Sequence, residues 1–193
     1  MSDAKNLLEL ARIRRSVRRF ENRPVEPEKI EELMAVANAA RRAFGVGDAA
    51  LILVDDPPMI DRVKSAAVSG WQGKINPWIY VTPFPAALVL VGRADSARES
   101  PDRPLYLASA AMMMESVVLA AAEMGLGTCW MAGFNPAAIA RALQLPRQWR
   151  PIIVSPLGYP TSKGRLEMVS RTVAQSDRRK PLDKVFEIRG DLR

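Results

Sequence analysis

The chain contains no histidine. That excludes Ser-His and Cys-His triads, histidine-ligated metal sites and the commonest general base together. Cysteine is nearly as scarce. The single Cys129 rules out an internal disulfide framework and fits a reducing compartment. Set between Thr128 and Trp130 in an apolar run, it reads as a small buried residue before it reads as a nucleophile. No carboxylate cluster has metal-ligand spacing, and neither a Gly-x4-Gly-Lys-Ser/Thr loop nor a Gly-x-Gly-x-x-Gly turn occurs. The opening "MSDAKNLLEL" lacks the basic start and apolar core of a signal peptide, so a cytoplasmic location is expected. A chain so poor in reactive side chains is suited to importing a cofactor and contributing binding and electrostatics itself.

What is abundant is arginine. Lys plus Arg number 28 against 21 Asp plus Glu, a formal charge of +7. The excess is clustered: Arg12, Arg14, Arg15, Arg18 and Arg19 crowd one short stretch, and Arg178–Lys180 form a second group. Clustering suggests a site for an anion more than a uniformly basic coat. With 48% hydrophobic and 25% charged residues, the 193-residue chain reads as one domain spanning 1–193, with an arm from about residue 178.

Helices alternate with short apolar runs. Residues 3–14 read as a short amphipathic helix with Leu7, Leu8, Ala11 and Ile13 on one side. "RPVEPEKIEELMAVANAARRA" is a stronger helix, opened by Pro27 and acidic residues and repeating Ile30, Leu33, Met34 and Ala37 at helical spacing. "AALILVDD" (49–56) and "PAALVLVGR" (85–93) read as buried strands, with the helix "MIDRVKSAAVSGWQ" between them. The run 105–125 is apolar almost all round. Glu115 interrupts its centre and no second span accompanies it, so it reads as a core helix and not as a membrane span. "GTCWMAG" reads as a strand, "NPAAIARALQL" as a helix capped by Asn135 with Pro136 at its first position, and "WRPIIVSPLGYP" as the last strand. The expectation is a sheet buried between helices, either α/β or α+β.

Three blocks then carry a resemblance. "RRSVRRFENRPVEPEKIEELMAVANAA", "AAEMGLGTCWMAGFNPAAIARALQLPRQWRPIIVSPLGYP" and "RRKPLDKVF" are similar, in that order, to the N-terminal, core and C-terminal blocks of the FMN-dependent nitroreductase family. The resemblance implies an α+β three-layer sandwich, with a mainly antiparallel sheet of about four to five strands covered by helices. It implies bound FMN, NAD(P)H as hydride donor, a small acceptor such as a nitroaromatic or quinone, and a homodimer with flavins at its interface. Residue by residue, Arg14, Ser16 and Arg18, with Arg15 adjacent, match the segment that holds the flavin phosphate and ribityl chain. Arg179 matches a C-terminal phosphate arginine. Gly133 matches the glycine whose N–H meets flavin N5, with Met131 and Ala132 along the same edge.

The departures are specific. Family members usually carry an Ala-Pro-Ser-x-x-Asn-x-Gln-Pro-Trp stretch where this chain has "ARRAFGVGDAA" (40–50), so Gly45 and Gly47 fall near the Asn and Gln positions. Either backbone groups, or Arg41 or Arg42, replace those contacts, or flavin binding is weakened. Ala132 stands where many members have an acidic residue. Trp71, Trp78, Tyr80 and Phe84 are candidates to cap the flavin face and equally candidates for core packing. A flavin-free protein with a binding or regulatory role remains the alternative. A nucleic-acid partner is not expected, because the basic residues lack a recognisable binding motif or interleaved aromatics.

Overall fold

The computed structural model describes residues 6–42, 49–93 and 104–161. Its elements are α1 (Leu7–Ile13), α2 (Pro27–Arg42), β1 (Ala49–Val54), α3 (Pro57–Ala67), a single-turn α4 (Gln72–Ile75), a 3-10 turn (Pro77–Tyr80), β2 (Ala86–Arg93), α5 (Leu105–Glu123), β3 (Gly127–Thr128), α6 (Pro136–Ala142) and β4 (Trp149–Gly158). The strands form one antiparallel sheet in the order β1-β2-β4-β3.

Strand alternation sorts the core into two layers. Ala86, Leu88 and Leu90 of β2 join Ile153 and Leu157 of β4 on the face covered by α2 and α5. Ala87, Val89 and Val91, with Val154, face the opposite layer of α3 and α6. A strand buried on both faces must read as a continuous apolar run, and β2 does. α5 is long and apolar enough to cross a membrane, yet Ala110, Met113, Met114, Val117, Val118 and Ala121 are packed into the core. Each such large side chain contributes about 1.5–3 kcal/mol by burial, and the expected core helix is what is observed.

Local chemistry sets the boundaries. Asn135 Oδ1 accepts the Ala138 N–H at 3.1 Å with Pro136 behind it, as expected for that cap. α5 ends in a Schellman turn: Leu126 N–H donates to Ala121 O at 2.7 Å, and Gly125 takes the left-handed conformation (φ +75) that this turn requires. Gly127 serves a different purpose, since a Cβ there would lie 2.8 Å from the Val17 side chain. The turn therefore lets the 16–18 segment press against β3.

Two expectations meet corrections. The stripe Leu7, Leu8, Ala11 and Ile13 points outward, with Leu7 67% and Leu8 68% exposed; only Leu10 of α1 is buried. Register explains the second. The pairing that sets Gly127 opposite Gly158 also sets Met131 opposite Val154, so the "GTCWMAG" strand keeps its course. Its ladder breaks opposite Pro156, which has no N–H to give to Cys129, and only Gly127–Thr128 remain regular strand. In the other half of that pair the Ser155 hydroxyl intervenes, accepting the Cys129 N–H at 3.0 Å and donating to the Pro156 carbonyl at 2.9 Å.

Candidate functional site

The arginine-rich stretch leaves α1 at Arg14 and becomes an added edge beside the sheet. Ser16 pairs in parallel with Thr128, and the Val17 N–H donates to Thr128 O at 2.8 Å. Phe20 bridges to Pro160, the Glu21 N–H donates to Tyr159 O at 2.8 Å, and the Thr82 hydroxyl donates to Arg18 O at 3.0 Å. Val17 and Phe20 are buried, while Ser16 and Arg18 are half-buried. Below this edge, Tyr159 anchors the turn into α2. Its hydroxyl donates to Glu26 and accepts from Lys29 Nζ at 2.6 Å, and the Arg23 guanidinium lies 3.4 Å above its ring.

The arginines of this stretch have different neighbours. Arg14 reaches Glu115 on α5 at 3.6 Å, a half-exposed pair that an anion with more charge can displace. Arg14 and Arg15 line a pocket of about 150 Å³ with Val17, Gly127, Thr128 and Pro160. Ser16 and Arg18 instead act on the Cys129 thiol. Burial pushes that thiol's pKa up, and the Arg18 charge and Ser16 hydroxyl pull it partly back. Cys129 is thus a buried, protonated packing residue, as its sequence context suggests. Among the described residues, Arg18 Nη1 is buried and takes no hydrogen-bond acceptor. A guanidinium N–H sequestered from both water and protein is costly. A larger cleft of about 420 Å³, lined by Arg23, Asp55, Ile60, Lys64 and Phe84, is bordered by none of the candidates carried over from the family pattern.

The later block is fixed by its own hydrogen bonds. Met131 is buried, with its N–H and carbonyl both paired to Val154, so its backbone belongs to the sheet. Ala132 is exposed and Gly133 half-buried. The Phe134 N–H closes a tight turn onto Ala132 O at 3.1 Å, and Asn76 Nδ2 donates to the Gly133 carbonyl at 2.8 Å. Among the described residues no acceptor takes the Gly133 N–H. Asn76 carries no signal in the sequence because Asn-Pro reads as an ordinary turn; nothing local reveals a partner 57 residues away. Of the four aromatics, Phe84 is core, meeting Phe20 edge-on at 6.5 Å and Trp78 at 6.0 Å, while Trp71 and Tyr80 are exposed. Arg179, the arm from 178 and the Gly45–Gly47 stretch lie outside the described residues, as do the side chains of Arg41 and Arg42.

Comparison with known proteins places this geometry in context. A model of the nitroreductase family matches residues 11–159. A candidate NADH dehydrogenase/NAD(P)H nitroreductase of Methanothermobacter thermautotrophicus is 26% identical over 161 residues, 80% of this chain and 78% of that protein. A Cr(VI) reductase of Pseudomonas sp. strain G-1 is 28% identical over 173 residues, 82% of this chain and 68% of that protein. The crystal structure of a nitroreductase family protein from Clostridium difficile 630 superposes with a TM-score of 0.76 at 26% identity, covering 96% of this chain and 99% of that one.

Proposed function

The chain belongs to the nitroreductase family, and from that premise we propose that it is an FMN-dependent oxidoreductase. It would carry hydride from NAD(P)H to a small acceptor such as a nitroaromatic or quinone. The observation that supports this best is the buried, acceptor-less Arg18 Nη1 beside Ser16, on the segment whose family counterpart holds the flavin. A phosphorylated flavin offers oxygens of the kind this group lacks, and guanidinium N–H groups bind such oxygens in paired, charge-assisted bonds.

When bound, FMN supplies the redox chemistry, accepting hydride and passing it on. The chain binds and orients. Arg14, Arg15, Ser16 and Arg18 would hold the phosphate and ribityl chain, and the Gly133 N–H, flanked by Met131 and Ala132, would address the ring. Hydride transfer requires no side-chain acid or base, which accords with a histidine-free sequence.

The working form in this reading is a cytoplasmic homodimer. A pocket of about 150 Å³ is too small for a flavin, since ligand sites typically run to about 300–1,000 Å³, so a second copy would complete the enclosure. α1 packs against α5, and Leu7 and Leu8 of the one and Leu107 and Met112 of the other are exposed apolar side chains available to it. The substitution of "FGVGDAA" for polar ring-reading side chains favours the second reading, a flavin-free protein of the same fold.

The absorption spectrum of freshly purified protein, repeated after adding FMN and removing the excess, separates the two. Flavin bands that bleach with NAD(P)H support the enzyme, and chromate belongs in the subsequent acceptor screen. A colourless protein that refuses FMN overturns it.

A further inference from the structure

Gly133 sits between two peptide planes that the structure fixes separately. The Ala132 carbonyl is tied to the Phe134 N–H at 3.1 Å. No peptide in the described chain is cis, and in a planar trans peptide the N–H points opposite to the C=O. The Gly133 N–H therefore points away from the turn. The second plane, Gly133–Phe134, is held at its other end by Asn76 Nδ2 on the Gly133 carbonyl at 2.8 Å. A three-residue turn is weak on its own, and a glycine at its centre has the widest choice of alternative conformations. An external hold on its carbonyl is what selects one orientation for the free donor.

Asn76 gives something up to do this. It stands directly before Pro77, at the cap position of the 3-10 turn, where an asparagine side chain ordinarily satisfies the turn's own N–H groups. Here the side chain makes no capping bond.

Resting on the flavin reading above, we infer that Asn76 is a positioning residue: its side-chain amide locks the Ala132–Phe134 turn so that the Gly133 N–H is aimed at the flavin ring. It acts through Gly133, by donating. That separates it from a residue that offers its own oxygen to the ring, because Asn76→Asp keeps an acceptor oxygen and cannot donate.

The test compares wild type, Asn76→Ala and Asn76→Asp in two measurements. Hydrogen exchange of the FMN-stripped protein reads the lock without flavin. The Phe134 amide is expected to exchange about 3- to 10-fold faster in both variants, the range for losing one net hydrogen bond, with the core strands unchanged. Equal exchange in all three proteins overturns the lock. FMN titration with a redox potential measurement reads the aim. Oxidised N5 accepts a hydrogen bond and reduced N5 carries a hydrogen, so a misdirected N–H weakens oxidised FMN more than reduced FMN. Both variants are expected to bind oxidised FMN about 3- to 10-fold more weakly. The potential rises accordingly, by about 30 mV for a tenfold difference between the two redox states. Faster exchange with unchanged affinity and potential overturns the positioning role, as does an Asp variant that behaves like wild type while Ala does not. A wild-type protein that takes up no FMN sinks the flavin reading itself; the exchange result still decides the lock.

Discussion

Replacing Ser155 with alanine removes one oxygen and strands two backbone groups. Ser155 is fully buried, at 0% exposure. Its hydroxyl is the link between the Cys129 N–H and the Pro156 carbonyl. Each buried group left unpaired costs about 1–3 kcal/mol. The vacated space is near the lower limit for holding a water, so solvent relieves only part of this. The expected loss is roughly 2–4 kcal/mol, a large share of the roughly 5–15 kcal/mol that holds a typical domain together. In urea unfolding of the FMN-stripped protein, with a slope of about 2–3 kcal/mol per molar, the midpoint should fall by about 1 M at unchanged slope. A cost within about 0.5 kcal/mol of zero refutes the reasoning.

Two further outcomes are expected. The Glu26 pKa is lowered, chiefly by the Tyr159 hydroxyl, and the Lys29 pKa is raised, chiefly by the same hydroxyl. A depressed carboxylate stabilises above its ordinary value, about 4.3, and loses that as pH falls through the folded value; a raised lysine stabilises below about 10.4 and loses that as pH rises further. Tyr159→Phe should therefore lower the thermal midpoint across neutral pH and flatten the decline at both extremes, whereas a uniform downward shift with both declines intact contradicts the assignment. For the dimer, Leu7→Glu/Leu8→Glu should convert a two-copy species to a single-copy one in sedimentation velocity at micromolar concentration; a wild type that already sediments as one copy removes the proposed interface.

Much of the fold was legible because it is written in local signals. Pro27 and Pro136 opened the helices where expected, Asn135 capped its own, and the β2 run declared a strand buried on both faces. The illegible parts depend on distant partners. Nothing within "GTCWMAG" reveals that its ladder is cut by Pro156, and nothing in the leucines of α1 reveals that they face outward. For the candidate site, the Arg14–Arg18 stretch announced its charge but not its conformation. Arg14 caps α1 and pairs with Glu115, whereas Ser16 and Arg18 lie on the bridged segment after it, near Cys129. Asn76 was silent because its partner is fixed by topology, not by spacing.

The position of β1 carries a consequence for how the chain survives its own synthesis. "AALILV" is six apolar residues without a charge, and among the described residues nothing pairs with its outer side. Such an edge is a template on which another copy can grow as cross-β aggregate. Asp55, Asp56, Pro57 and Pro58 come directly after it in the chain. Two carboxylates repel a stacked neighbour, and two prolines offer it no amide hydrogen, so the run is bounded before it can recruit. Solubility during refolding then rests on four residues that contribute little to the finished core.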